Sequence, residues 1–135
     1  TEAGLPNGFK MELTVGAMPR VQAEAIAANL AKVGIEVTLN EQQYAPAVTA
    51  WREGRAPMMM SNWGSYGVGD AGLSVGQFFS GTADDNVKDP ELVGWLQTAN
   101  SSVDPNVRKE NYAKALKKIA DQAYWLPLWT YSVTT

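Results

Sequence analysis

Cysteine and histidine are both absent from the 135 residues. Their absence removes thiolate nucleophiles, disulfides, Cys/His zinc sites and every general base or triad built on imidazole. Cations are scarce as well: 11 Lys and Arg stand against 14 Asp and Glu, a net charge of −3. Backbone phosphates demand clustered Lys and Arg, so no nucleic-acid partner is expected. Long apolar runs are missing too. The best stretch, Val21 to Val33, is broken by Gln22, Glu24, Asn29 and Lys32. Nothing approaches the roughly 20 apolar residues of a membrane span. The first residue is Thr1 and no leader pattern is visible, as expected of a mature form or of a piece of something longer. What the chain does have is aromatic weight: five Trp, five Tyr and three Phe in a composition 45% hydrophobic and 19% charged. That composition is globular, and the length suits one domain, 1–135, with a core of its own.

Patterning predicts an α/β fold. Pro6-Asn7-Gly8 is turn chemistry, after which Met11, Leu13 and Val15 alternate with Lys10, Glu12 and Thr14 as a strand with one buried face. Pro19 suits a helix N-terminus, and Ala23, Ile26, Ala27, Leu30 and Val33 follow at helical spacing before Gly34 stops the helix. Ile35, Val37 and Leu39 then alternate with polar residues. Strand, helix and strand make a βαβ unit with parallel strands and a right-handed crossover. A short helix is expected over residues 45–53, with Val48 and Trp51 on its inner side. Met58-Met59-Met60 reads as a central strand covered on both faces. Residues 62–81 read as a long loop with a helical turn near 75–79. Asp89-Pro90 and Asp104-Pro105 each place a capping carboxylate before an N1 proline and so start two helices. The second carries a stripe of Tyr112, Ala115, Leu116, Ile119, Ala120 and Ala123. Its basic residues Arg108, Lys109, Lys114, Lys117 and Lys118 read as a solvated face. Residues 125–133 read as a strand, with Pro127 favouring an edge.

Most chemical motifs fail on inspection. Gly67-Val68-Gly69-Asp70-Ala71-Gly72 has dinucleotide-loop spacing, but Asn62 to Tyr66 separate it from the strand and Asp70 would face the pyrophosphate. Ser65 lacks the first glycine of a nucleophile elbow and has no histidine to activate it. Asp84-Asp85 lacks the alternating oxygen ligands and closing Glu of a calcium loop. No metal ligand, catalytic residue or cofactor is therefore assigned. The segment Asn62-Trp63-Gly64-Ser65-Tyr66-Gly67-Val68-Gly69-Asp70 remains. Trp63 and Tyr66 offer apolar faces, Ser65 and glycine-exposed amides offer orienting bonds, and Asp70 offers a partner for an ammonium group. The plainer alternative has Trp63 and Tyr66 packing in the fold and Asp70 capping a turn.

A resemblance joins these pieces. Pro6-Asn7-Gly8-Phe9, the helix end Leu30-Ala31-Lys32-Val33-Gly34-Ile35 and the strand Glu36-Val37-Thr38-Leu39 occur in one order. Trp63-Gly64, Phe78-Phe79, the helix start Asp104-x-x-x-Arg108 and the stretch Trp125-Leu126-Pro127-Leu128 follow them. Together they resemble the extracytoplasmic solute-binding proteins of ABC importers, of the peptide/oligopeptide/nickel type. The resemblance implies a periplasmic-binding-protein-like fold of two lobes closing on a cleft, with this chain as the later part of the second lobe. In peptide-binding relatives an Asp after the strand's Trp pairs with the ligand's α-amino group, and Asp70 is the matching position. The chain departs from the common pattern there, with Asp70-Ala71 in place of Asp-Pro and a longer glycine-rich loop.

The resulting expectation is a non-enzymatic lobe: α/β, with a mixed sheet and flanking helices, periplasmic or otherwise extracytoplasmic. Its ligand-binding residues would be Trp63, Ser65, Tyr66 and Asp70. Its partners would be a peptide or small polar solute, the remaining lobe and the importer's membrane subunits. The rival readings are a small hydrolase using two carboxylates, or an interaction module without a ligand.

Overall fold

The computed structural model describes residues 4–16, 18, 20–64 and 68–129. Its contacts group into two compact units, residues 1–64 and 65–135, each described by itself.

The first unit is α/β. It contains β1 (Phe9–Gly16), α1 (Arg20–Ala31), β2 (Ile35–Gln42), α2 (Tyr44–Arg52) and β3 (Met59–Met60). The expected βαβ unit is present, with β1 and β2 parallel and Met11 opposite Val37, Leu13 opposite Leu39. That register puts the apolar members of both strands on one face. There Leu13, Val15, Ala23 and Met60 form a buried cluster joined by Ile26, Val37 and Leu39, each large side chain contributing about 1.5–3 kcal/mol of burial. The turn between helix and strand depends on two glycines. Gly8 and Gly34 both have positive φ, at 71° and 84°. A Cβ on Gly8 would lie 1.7 Å from the Gly34 carbonyl oxygen. That same oxygen accepts the Phe9 N–H at 3.1 Å, which fixes where β1 begins.

Three expectations change here. The sheet order is β2-β1-β3, so among the described residues β1 is central and the methionine segment is a two-residue strand at the edge. The reason lies in β1 itself, whose opposite face is also buried: Thr14 is only 1% exposed. A Cβ on Gly16, on that same face, would sit 2.9 Å from the Cβ of Ala47, so α2 approaches closely there. Consequently α2 turns Ala47 and Ala50 inward, leaving Val48 and Trp51 half-buried. Val33 lies beyond the end of α1 and is 71% exposed, so the apolar stripe of that helix closes at Leu30.

The second unit is helical, with α3 (Ala71–Phe79), α4 (Pro90–Ser101) and α5 (Pro105–Asp121). Both Asp-Pro starts are as expected. Asp89 accepts the N–H groups of Glu91 and Leu92 at 3.0 and 3.3 Å, and Asp104 accepts that of Asn106 at 2.8 Å. Val75, Phe79, Leu92, Leu96, Ala99, Tyr112, Ala115 and Ile119 form the core. Leu116, Ala120 and Ala123 of the expected stripe are exposed instead. Between α3 and α4, Asp85 is buried and staples its own loop, accepting from the N–H groups of Gly81, Val87 and Lys88 at 2.8, 3.0 and 2.8 Å.

Two more expectations need amendment. The loop of residues 62–81 contains a nine-residue helix, α3, where a single turn was expected. Residues 125–129 are not a strand, and residues 130–133 of that expected strand lie outside the described residues. The sheet described is accordingly all parallel, and the mixed sheet that the C-terminal strand would have made is not part of it.

Candidate functional site

Two of the four candidate contacts are among the described residues, one in each unit. Trp63 belongs to the first unit, follows β3 and is 41% exposed. Ser65 and Tyr66 lie outside the described residues. Asp70 belongs to the second unit.

Asp70 is the N-cap of α3. Its extended backbone (φ −124°, ψ 125°) lets the side chain fold back to accept the Gly72 N–H at 2.8 Å, satisfying one of the unpaired donors of the first turn. Its other oxygen is ion-paired to the Arg108 guanidinium. The N–H bond from Gly72 is the chief cause holding the Asp70 carboxyl below the ordinary aspartate range, with the Arg108 charge adding to it against partial desolvation.

Arg108 comes from the first turns of α5 and is fixed on several sides. It donates to the Ala99 carbonyl at the end of α4 at 2.8 Å and to the Tyr112 hydroxyl at 3.3 Å. Its guanidinium carbon stands 5.2 Å from the Tyr112 ring centroid. Tyr112 is buried, and its hydroxyl donates to Asn100 Oδ1 at 2.7 Å while lying 3.4 Å from Asp70 Oδ1. A phenol has one proton to give, and the shorter contact takes it. Burial foremost, then the Asp70 charge, raises the Tyr112 hydroxyl above its ordinary pKa, so it stays a neutral donor at physiological pH. The start of α3, the end of α4 and the first half of α5 thus converge on one polar cluster.

An open groove of about 420 Å³ lies over this cluster, lined by Gly69–Ala71, Val103, Pro105, Arg108 and Tyr112. Residue patterning had set Arg108 on a solvated face, and that assignment is corrected. A second correction concerns Lys118, which bonds Asp89 at 2.7 Å and Glu91 at 2.6 Å and sits 5.6 Å from the Trp95 ring centre. Only Lys109, Lys114 and Lys117 match the expectation of an exposed face. No spacing rule links Asp70 to an arginine 38 positions away. The usable signal was the i, i+4 placement of Arg108 and Tyr112, which puts the cation at the margin of a buried stripe.

The remaining motifs resolve physically. In the dinucleotide-like segment, the helix N-terminus that would receive phosphate is capped by Asp70's own carboxylate. Its last glycine, Gly72, packs on the cluster, since a Cβ there would lie 2.5 Å from the Tyr112 hydroxyl. Among the described residues no three acidic side chains gather as a metal site, and no helix is long and apolar enough to cross a membrane.

No family model matches the chain, and no curated protein does. Solved structures do match. A dipeptide-binding protein from Pseudoalteromonas sp. SM9913, in complex with Met-Leu, superposes with a TM-score of 0.80 at 26% identity. The match covers 91% of this chain and 27% of that protein. AgaA from A. tumefaciens, in complex with agropinic acid, gives a TM-score of 0.72 at 23% identity over 90% of this chain and 26% of its own. The Haemophilus influenzae OppA complex with RPPGFSPFR gives 0.69 at 24% identity, over 87% and 25% of the two chains. The chain spans about a quarter of the length of these proteins. Over 87–91% of its own length it resembles, and carries the fold of, one part of these solute-binding proteins.

Proposed function

We propose that this chain is a solute-binding part of an ABC-importer substrate-binding protein, working outside the cytoplasmic membrane and catalysing no reaction. It would form one wall of a cleft that takes a peptide or similar small polar solute. The observation that carries this reading is the superposition, at a TM-score of 0.80 over 91% of the chain, on a protein crystallised with the dipeptide Met-Leu. The proposed contact segment runs from Asn62 to Asp70. Trp63 and Tyr66 supply apolar faces, Ser65 and backbone amides orient the solute, and Asp70 closes the segment. The partners are the remaining lobe, which supplies the opposing wall, and the importer's membrane subunits, which supply the energy.

A thermal-shift screen of the complete protein tests the reading. Panels of dipeptides including Met-Leu, of opines such as agropinic acid, and of sugars would be compared. Peptides are expected to raise the melting temperature, as any ligand selective for the folded state does. A response to sugars alone, or to no small polar solute, overturns the assignment.

A further inference from the structure

We propose that Arg108 is a positioning residue for Gly69 and Asp70, the last residues of the proposed contact segment, and that Asp70 serves there as an anchor and not as the hook for the solute's ammonium group. The inference rests on the binding function proposed above.

The geometry points to it in three steps. First, the Asp70 carboxylate is already engaged on both oxygens. Oδ1 takes the Gly72 N–H at 2.8 Å and Oδ2 takes the Arg108 guanidinium. The Arg108 charge beside it already compensates the Asp70 carboxylate, so an arriving ammonium is attracted less than it would be by an unpaired carboxylate. Second, Arg108 is itself immobilised. The Ala99 carbonyl holds one of its nitrogens at 2.8 Å, and the Tyr112 ring lies against its guanidinium. It therefore transmits the position of two helices to a loop residue 38 positions earlier in the chain. Third, the first turn of α3 is fitted to the cluster without slack: a Cβ on Gly72 would meet the Tyr112 hydroxyl at 2.5 Å and Asn100 Oδ1 at 2.9 Å. Asp70 ends the contact segment and begins this helix, so whatever fixes Asp70 fixes where the segment ends.

Hydrogen exchange and peptide binding, measured on the complete protein and its variants, separate the two roles. Arg108→Gln is expected to speed amide exchange in residues 69–73 by about tenfold, with Arg108→Lys recovering part of the protection. Unchanged exchange in Arg108→Gln overturns the anchor. In calorimetry with Met-Leu and its N-acetylated form as probes, Asp70→Asn and Arg108→Gln are each expected to weaken both peptides by the same factor. A loss confined to the free-amine peptide makes Asp70 a direct hook and overturns the proposal. Should Arg108→Gln lose its fold by circular dichroism, exchange in Asp70→Asn takes its place, a variant that keeps the shape of the cap and removes the charge that pairs with Arg108. Faster exchange in the same residues supports the anchor, and no change overturns it. If neither peptide binds the unaltered protein, the proposed function fails, and the exchange comparison alone still decides the role of Arg108.

Discussion

Two polar groups in this chain show opposite outcomes of burial. Thr14 sits on the inner face of β1 at 1% exposure, and its Oγ1 has no hydrogen-bond partner among the described residues. An unmet buried hydroxyl costs roughly 1–3 kcal/mol of desolvation. Thr14→Val keeps the branched shape and removes the hydroxyl, so it is expected to stabilise the first unit by about 1 kcal/mol. Urea unfolding checks this, and a lowered midpoint contradicts it. Asp89 is the converse case, because Lys118 and two backbone N–H groups of α4 all bond it. The bond from Lys118 is the leading cause that holds its carboxyl below the ordinary aspartate value of about 3.9. A lowered folded-state pKa gives stability that is fully present above the unfolded value and lost as pH falls through the folded one. The chain should therefore lose stability from about pH 4 downward. In Asp89→Asn, which still caps α4, the drop in melting temperature between pH 5 and pH 2.5 should be smaller. An equal drop in both proteins refutes the assignment.

At the scale of elements, legibility followed the locality of the signal. The caps at Asp89 and Asp104 were readable because the carboxylate and its N–H partners lie within three residues of each other. The βαβ unit was readable because Gly8, Gly34 and the two alternating runs are each local patterns. The helix α3 was missed because its composition, Ala-Gly-Leu-Ser-Val-Gly-Gln-Phe-Phe, contains two glycines that propensity counts against a helix. Tertiary packing overrides that count: Gly72 is small because the Tyr112 hydroxyl lies where a side chain would go, and Val75 and Phe79 enter the core. Arg108 was misplaced for the same reason, since its partner is set by the packing of three helices. The α4–α5 core itself should behave as ordinary apolar packing. Leu96 has no exposed surface, so Leu96→Ala is expected to cost about 2–5 kcal/mol, read from helical circular dichroism against denaturant. A loss below about 1 kcal/mol would mean that this site relaxes to fill its cavity.

At the scale of the molecule, the chain carries neither a cysteine thiol nor an imidazole. The chain presents aromatic side chains and fixed polar groups, which suit recognition. A cleft that binds a small solute typically covers 70–90% of its surface, with contacts drawn from both walls. One wall alone makes only part of those contacts, yet the solute loses nearly the same translational and rotational freedom on binding. If the complete protein binds a peptide near 1 μM, about −8 kcal/mol, forfeiting half of that free energy leaves a dissociation constant near 1 mM. Under the binding function proposed above, the 135-residue chain by itself is accordingly expected to bind the solute about a thousandfold more weakly than a protein carrying both walls. Calorimetric titration of both against the same solute measures the ratio directly. Comparable affinities would place the whole recognition surface within these residues, and the solute would then need no opposing lobe to be held.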